Sequence, residues 1–307
     1  MNPEERHRIG LVQIHIAVLL ASGAGLFAKL VPVSPMVLTA GRTAFGSLAL
    51  LLFALFAHAS LRLHSTRDLF AILSSGLVLA IHWFTFFLSI QKSSVAIALL
   101  AFATFPLFTT FLEPMIEGEP LRREDVLTAV LVSAGLVMVT PSFDLSDRMT
   151  QGLLWGIVSA FAFAVLSLMS RSYSGRYPAP AIAFYQQGFA ALCTLPFALQ
   201  WQGRLTAGDV RDLVILGLVF TALVQGLVVA SLRHLRAQTA SVVFGLEPVY
   251  GIVLAWLVIG EVPGVRTIAG GSLICGAVLW ASFRHRRPAQ TAIPALEPKG
   301  DSPPPAS

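Results

Sequence analysis

The chain has 307 residues, of which 55% are hydrophobic and only 12% charged, and its mean hydropathy is +0.75. Soluble domains carry about 25% charged residues, so this composition excludes an ordinary soluble enzyme. The net charge of +5 does not indicate a nucleic-acid partner, because the basic residues lie in short stretches between apolar runs. Cys193 and Cys275 lie inside such runs without metal-type spacing, which favours simple apolar packing. We therefore predict an all-α polytopic membrane protein.

Apolar runs bounded by Pro, Gly or charge predict ten transmembrane helices. The predicted spans are 9–31, 34–57, 67–90, 94–116, 123–140, 151–171, 178–200, 210–231, 238–260 and 265–283. At about 1.5 Å rise per residue, each can cross a bilayer core of roughly 30 Å. Most Lys and Arg residues fall in the loops on the side of the N-terminus, so we expect both termini to be cytoplasmic.

The fourth and ninth spans share a pattern that indicates an internal repeat. Three residue pairs lie 142 positions apart, and they are Pro106 with Pro248, Gly118 with Gly260, and Glu119 with Glu261. Five spans per copy is an odd number, so the second copy must enter the membrane from the opposite side. We predict two inverted five-helix repeats, 1–145 and 146–287, followed by a disordered tail over 288–307. The prolines and the Gly-Glu pairs are expected to shape the helices, with both glutamates as helix-end groups.

Ten spans in two inverted repeats, with Pro and Gly-Glu in the fourth and ninth, resemble the drug/metabolite transporter superfamily and its EamA-type carriers. The stretch Ile81–Pro106, IHWFTFFLSIQKSSVAIALLAFATFP, resembles the YddG-type bacterial exporters of aromatic amino acids. The resemblance implies an inner-membrane exporter with a central cavity between its halves, working by alternating access. It also implies amino acid substrates, aromatic ones included, with the lipid bilayer as surroundings.

The sequence carries no catalytic or nucleotide-binding signature, such as HExxH, GxSxG or a P-loop. It therefore predicts no enzymatic activity, no cofactor and no metal site. A transporter needs only polar groups at mid-depth, an apolar or aromatic pocket, and helices that can move against each other. The candidate functional residues are accordingly the polar and aromatic side chains inside the spans.

Glu247 is a carboxylate placed about nine residues into the ninth span, or roughly 14 Å deep. Pro248 follows it and cannot donate to the carbonyl of Phe244, which predicts a loosened turn. The carboxylate could bind a substrate ammonium or carry a proton, and it could also be protonated and bonded to a neighbouring helix. Tyr250 lies three residues on and shares its face. Protons are thus a candidate coupling ion.

His82, Trp83 and Phe86 form an aromatic group in the third span. Rings suit stacking against an aromatic substrate, and an imidazole can bond a carboxylate, although such stripes also occur in cores and against lipid. Arg42 lies roughly 10 Å inside the second span. Its guanidinium could bind a substrate carboxylate, or it could pair with an acid or helix-end carbonyls.

Four further side chains complete the candidate substrate site. Amides at membrane depth should face protein or water, and we expect one of two adjacent glutamines in the seventh span to line the cavity. The candidates are Trp155, Tyr185, Gln186 and Gln225. For Trp155 the alternative is an ordinary interfacial tryptophan.

Two other functions remain open. One is a carrier of another small metabolite or drug, and the remote one is a non-transporting membrane protein or an intramembrane enzyme.

Overall fold

The computed structural model describes residues 3–58, 60–117, 123–140, 144–174, 176–235 and 237–284, and every regular element within them is helical. The helices are α1 (Pro3–Gly23), α2 (Phe27–Leu30), α3 (Pro35–Phe56), α4 (Thr66–Lys92), α5 (Val95–Phe102), α6 (Phe105–Glu117), α7 (Arg123–Val139), α8 (Arg148–Ser174), α9 (Ala179–Ala198), α10 (Ala207–Gly217), α11 (Val224–Ser231), α12 (Ala237–Phe244), α13 (Glu247–Ile259) and α14 (Val265–Arg284). A 3₁₀ turn (Ala24–Leu26) joins α1 to α2, and a π-helical turn (Leu218–Leu223) joins α10 to α11.

Six helical segments are long and apolar enough to cross a membrane: Glu4–Leu30, Pro35–Phe56, Thr66–Lys92, Val95–Glu113, Arg148–Tyr173 and Ala207–Ser231. Shorter apolar helices cover Val126–Val139, Glu247–Ile259 and Val265–Trp280. Many large apolar side chains lie exposed on the outside of the bundle, among them Phe56, Phe70 and Leu199. A lipid environment is the one in which that exposure costs nothing. The chain is a multi-pass membrane protein.

The fourth and ninth spans are broken at corresponding positions. Helix α5 ends at Phe102 and α6 begins at Phe105, while α12 ends at Phe244 and α13 begins at Glu247, so both edges of the second break lie 142 positions after those of the first. The sequence predicted a continuous ninth helix with a loosened turn, and the structure instead restarts the helix. Pro248, like Pro106, is therefore the second residue of a new helix, where its missing N–H has no intrahelical acceptor to lose.

Hydroxyl side chains fix where several helices begin. Ser34 accepts from Val37 N at the start of α3, and Ser94 accepts from Ile97 N at the start of α5. At α10, Thr206 and Asp209 form a reciprocal capping box. Each of these side chains satisfies a backbone N–H that the first helical turn leaves without a partner. The starts of these spans are thus determined locally by the sequence.

The principal helix contacts join the first half of the chain to the second. Helix α1 packs against α11 and α13, α3 against α9 and α10, α4 against α8 and α9, and α7 against α14. Glycines allow the closest approaches: a Cβ added at Gly217 would lie 2.8 Å from the Gly46 nitrogen, and one added at Gly270 would lie 2.7 Å from the Gly135 carbonyl oxygen. Small residues of this kind let membrane helices pack backbone to backbone. The core therefore lies between the two halves.

Candidate substrate-binding site

Arg42 is the most completely buried charged side chain inside the described spans, with 4% of its surface exposed. Its Nη2 donates to the carbonyl oxygen of Phe220 at 3.2 Å. The guanidinium carbon lies 3.4 Å from the centroid of the Trp83 ring, a cation–π contact between α3 and α4. Within the described residues, Nε and Nη1 have no hydrogen-bond partner. Arg42 is thus held in place by two neighbours but keeps unused donors.

The Phe220 carbonyl lies within the π-helical turn Leu218–Leu223. Thr221 Oγ1 donates to the carbonyl oxygen of Leu216, five residues earlier, at 3.0 Å. The close approach at Gly46 and Gly217 holds this turn against α3. π-helical turns are rare and occur frequently at functional sites. Here the turn presents a backbone acceptor to a buried guanidinium.

Glu247 supplies the opposite charge from the second half of the chain. It is the first residue of α13, directly after the break, and its side chain is half-buried. The charges of Glu247 and Arg42 interact electrostatically. Among the described residues, the Arg42 guanidinium hydrogen-bonds only to the Phe220 carbonyl, so no hydrogen bond joins it to Glu247. Ser22 of α1 donates to the Glu247 carbonyl oxygen at 3.1 Å. A carboxylate at a helix N-terminus is favoured by the helix dipole.

Trp83 connects the charged group to an aromatic cluster. Its indole Nε1 is buried and has no hydrogen-bond partner in the described part of the chain. The Trp83 ring packs edge-on against Phe86 at 5.8 Å, and Phe86 in turn packs against Phe102 at 5.7 Å. Phe86 is buried, whereas Trp83 is half-buried. Of these two predicted residues, Trp83 is the one in direct contact with Arg42.

His82 is fixed against α8 by Ser159, a partner that the sequence did not indicate. The ring Nδ1 lies 3.1 Å from the Ser159 carbonyl oxygen and 2.9 Å from its Oγ, and the same Oγ donates to the His82 carbonyl oxygen at 3.0 Å. A carbonyl can only accept, so Nδ1 carries the proton and Nε2 is the unprotonated nitrogen of the neutral ring. The rings of Phe102 and Phe163 flank the imidazole. That His82 binds substrate stays a prediction, with Nε2 as the nitrogen left for it.

Tyr185 and Gln186 lie at a different level of the bundle, where α4, α8 and α9 meet. Gln186 Nε2 lies 2.9 Å from Ser75 Oγ and 2.9 Å from the Tyr173 hydroxyl, and Tyr185 donates to the Leu61 carbonyl oxygen at 3.0 Å. The Gln186 contacts join α9 to α4 and α8, and the Tyr185 contact joins α9 to the segment between α3 and α4. The adjacent Gln187 differs, because its buried Oε1 has no hydrogen-bond partner among the described residues.

An acidic residue, Asp68, organises the same end of the bundle. Asp68 is buried and accepts from the Arg176 guanidinium at 2.9 Å and from the Tyr177 hydroxyl at 2.6 Å. The hydrogen bond to Asp68 raises the pKa of Tyr177 above its ordinary value. Close by along the chain, Arg171 of α8 forms an ion pair with Glu113 of α6. We call this the Asp68 end.

The Gly-Glu pair of the ninth span has a defined role at the opposite end. Gly260 ends α13 in the left-handed conformation, with φ of 68°, which favours glycine. The chain thereby turns back, and the Glu261 carboxylate accepts from the backbone nitrogens of Val95 and Ala96 at 3.1 and 3.0 Å. Glu261 of the second half thus caps α5 of the first. We call this the Glu261 end; the matching Gly118 and Glu119 lie outside the described residues.

Among the described residues, the remaining predicted ones form no hydrogen bond or ion pair with Arg42. The Tyr250 hydroxyl lies 2.8 Å from His15 Nδ1 and joins α13 to α1. Gln225 is half-buried on α11. Trp155 is exposed on α8 beside the exposed Leu154 and Val158, a position that fits a lipid-facing surface. Of the ten predicted binding residues, the structure places Arg42 against Trp83 and Trp83 against His82 and Phe86. The charge of Glu247 interacts with that of Arg42. The roles of all ten stay predictions.

Metal binding has no support in the described part of the chain. His, Cys, Asp and Glu side chains form no group of three or more there that could hold an ion. The arrangement that the structure does provide is a fixed cation, an anion from the other half, and neighbouring aromatic rings. This combination suits a small molecule with charged and apolar parts.

Comparison with known proteins identifies the chain's relatives. The sequence model described as the EamA-like transporter family matches twice, at residues 8–140 and 150–283. An uncharacterized transporter of Archaeoglobus fulgidus is 27% identical over 89% of this chain and 96% of its own length. The pseudopaline exporter CntI of Pseudomonas aeruginosa is 27% identical over 78% of this chain and 82% of its own length. The S-adenosylmethionine uptake transporter of Rickettsia felis is 23% identical, with 79% and 81% covered.

A solved crystal structure supports the same fold. It superposes with a TM-score of 0.64, covering 91% of this chain and 97% of the other, at 21% sequence identity. At that identity the likeness concerns the fold alone.

Proposed function

The chain belongs to the EamA-like transporter family, and from that premise we propose that it exports amino acids, aromatic ones included, across the cytoplasmic membrane by alternating access. The main support for amino acid export is the pair Arg42 and Glu247. These side chains of opposite charge lie inside the bundle and interact electrostatically without a hydrogen bond between them. An amino acid presents the complementary pair, a carboxylate and an ammonium. The Trp83 ring beside Arg42 adds a surface on which an aromatic side chain can stack.

The proposal includes ten spans arranged as two inverted repeats, with both termini in the cytoplasm. The coincidence of helix bounds at a spacing of 142 residues supports the repeat, and the double match of the family model agrees with it. In such carriers the substrate binds near the midplane between the repeats, where broken helices meet. Arg42 comes from the first half and Glu247 from the break in the second, so motion of one half against the other would change their separation.

The function is tested by counterflow in proteoliposomes. Vesicles containing the purified full chain are preloaded with unlabelled phenylalanine, tryptophan, threonine or a sugar, and entry of radiolabelled phenylalanine is followed. We expect entry with the amino acids and none with the sugar or in protein-free vesicles. No entry with any amino acid, from protein that is folded and correctly inserted, would remove the assignment to amino acid export.

Topology has its own test. Single cysteines replacing Lys92 and Arg123, in a chain with Cys193 and Cys275 changed to alanine, should react with a membrane-impermeant thiol reagent from opposite sides. Reaction from the same side would contradict the orientation and the inverted repeat together.

The relatives supply one alternative. One is named for export of pseudopaline and another for uptake of S-adenosylmethionine, so a carrier of a different small metabolite is the second candidate. The same vesicles, screened for competition by such metabolites, distinguish the two.

A further inference from the structure

Resting on the transport function proposed above, we propose that Arg42 and Trp83 form a carboxylate-binding subsite, in which guanidinium and indole N–H groups donate to the oxygens of the substrate's carboxylate. Arg42 Nε, Arg42 Nη1 and Trp83 Nε1 are all buried, and none has a hydrogen-bond partner among the described residues. All three belong to two side chains in direct contact, 3.4 Å apart from guanidinium carbon to ring centroid.

Unused donors at this depth require an acceptor. Buried polar groups are almost always hydrogen-bonded, and a buried charge without partners is more costly still. Arg42 cannot turn to water at the surface, since only 4% of it is exposed. The contacts to Phe220 and Trp83 hold the side chain without satisfying it. The protein thus keeps a cation whose missing partner must come from elsewhere.

The remaining donors match a carboxylate. Nη2 carries two hydrogens, and Phe220 uses one of them. One Nη2 hydrogen lies on the edge shared with Nε, and the other lies on the edge shared with Nη1. Whichever hydrogen Phe220 uses, both donors of the remaining edge have no partner among the described residues. Such an edge binds the two oxygens of a carboxylate side by side. The indole N–H adds one more donor, and a carboxylate accepts it more strongly than a neutral oxygen does because the hydrogen bond is charge-assisted.

The charge of Glu247 limits which anionic ligands the subsite can bind. Its charge acts on the same region, so a ligand with a second negative charge would be repelled, whereas one that also carries an ammonium would be attracted. The subsite therefore favours monocarboxylates over phosphates, and zwitterions among the monocarboxylates.

The test compares three compounds of one shape: L-phenylalanine, L-phenylalaninol, which has an alcohol in place of the carboxylate, and 3-phenylpropionate, which lacks the ammonium. Binding is measured as ligand-induced thermal stabilisation of the purified full chain in detergent, so the result does not depend on transport. We expect both carboxylates to bind at least about 10-fold more tightly than the alcohol.

Variants assign the effect to the two side chains. Arg42→Gln should weaken binding of both carboxylates by about 100-fold, because charge-assisted hydrogen bonds are lost. Trp83→Phe keeps an aromatic ring beside Arg42 but removes the N–H together with part of the indole's ring area, and it should cost about 10-fold. Matched controls are Arg211→Gln, at an exposed arginine paired with Asp212, and Trp256→Phe, at a tryptophan 56% exposed on α13. Both controls should bind like the wild type.

Equal stabilisation by phenylalaninol and phenylalanine would overturn the proposed subsite. So would unchanged carboxylate binding in both Arg42→Gln and Trp83→Phe. A third contradicting result would be no stabilisation by any carboxylate at about 10 mM. The wild-type comparison stands even where Arg42→Gln fails to fold. Stabilisation by 3-phenylpropionate without amino acid counterflow would keep the subsite and remove amino acid export. Phenylalanine counterflow with no preference for carboxylates would keep the function and remove the subsite.

Discussion

The two broken helices share a backbone design but differ in the residue at which the helix restarts. In the first half α6 begins with Phe105, whose ring stacks on Phe102 at 5.4 Å and meets Phe163 edge-on at 5.0 Å. In the second half the residue 142 positions later is Glu247, whose charge interacts electrostatically with that of Arg42. The two breaks thus differ in what surrounds them. The first is packed with aromatic rings, and the second carries a carboxylate. On the proposed repeat, we expect the positions at which the two halves differ, such as Phe105 and Glu247, to be the ones that matter for transport.

The largest effect should come from making the first break resemble the second. Phe105→Glu places a carboxylate among Phe102 and Phe163 without a cation, which should cost about 3 kcal/mol or more of folding free energy. We expect a strongly lowered Tm and little monodisperse protein on size-exclusion chromatography, with Phe105→Leu as the tolerated control. A Phe105→Glu protein as stable as the wild type would mean that the first break is no more apolar than the second.

Removing the charge at the second break tests its function. Glu247→Gln keeps the shape of the side chain but leaves Arg42 without its opposite charge, and we expect phenylalanine counterflow to fall about 100-fold at unchanged protein yield. Asp212→Asn, at an exposed ion pair, serves as the matched control. Normal counterflow of Glu247→Gln at every pH from 5 to 9 or so would exclude both a substrate role and a proton role for this carboxylate.

A smaller effect is expected where the halves are tied at the Glu261 end. Glu261→Gln keeps one carbonyl oxygen for the start of α5 but loses the charge and one acceptor, which should lower stability by about 1–2 kcal/mol. The measurement is Tm in detergent, with Glu113→Gln, at the half-exposed ion pair of the Asp68 end, for comparison. If Glu261→Gln has the same Tm as the wild type, the Glu261 cap does not contribute to the stability of the folded protein.

The smallest effect concerns α13 beyond the break. Tyr250→Phe removes the hydroxyl that lies 2.8 Å from His15 Nδ1 and should cost about 1 kcal/mol without changing the apparent affinity for phenylalanine. Tm and counterflow measured on the same preparation separate the two quantities. A changed affinity with unchanged Tm would instead place Tyr250 at the substrate, as the sequence predicted.

The sequence predicted well the all-α class and the features that are local, whereas the ten-span inverted repeat stays a prediction. Span positions follow from apolar runs, and Pro106 and Pro248 marked the two breaks, although a proline alone could not show that a new helix begins at Glu247. Contacts between helices were harder to predict. The partners Phe220 for Arg42 and Ser159 for His82 depend on how each helix is rotated about its axis. Spans that are apolar on all sides leave that rotation undetermined in a single sequence. The π-helical turn likewise has no simple residue signature.

The Glu261 cap also has a kinetic consequence. On the proposed alternating access, we expect exposure of the binding site at the Glu261 end to separate the loop after α13 from the start of α5, which breaks both hydrogen bonds of the Glu261 carboxylate. If these bonds are worth about 1.5–3 kcal/mol in total, breaking them before the transition state slows opening by roughly 10- to 100-fold. The Glu261 side chain would then determine the lifetime of the state that is closed at the Glu261 end.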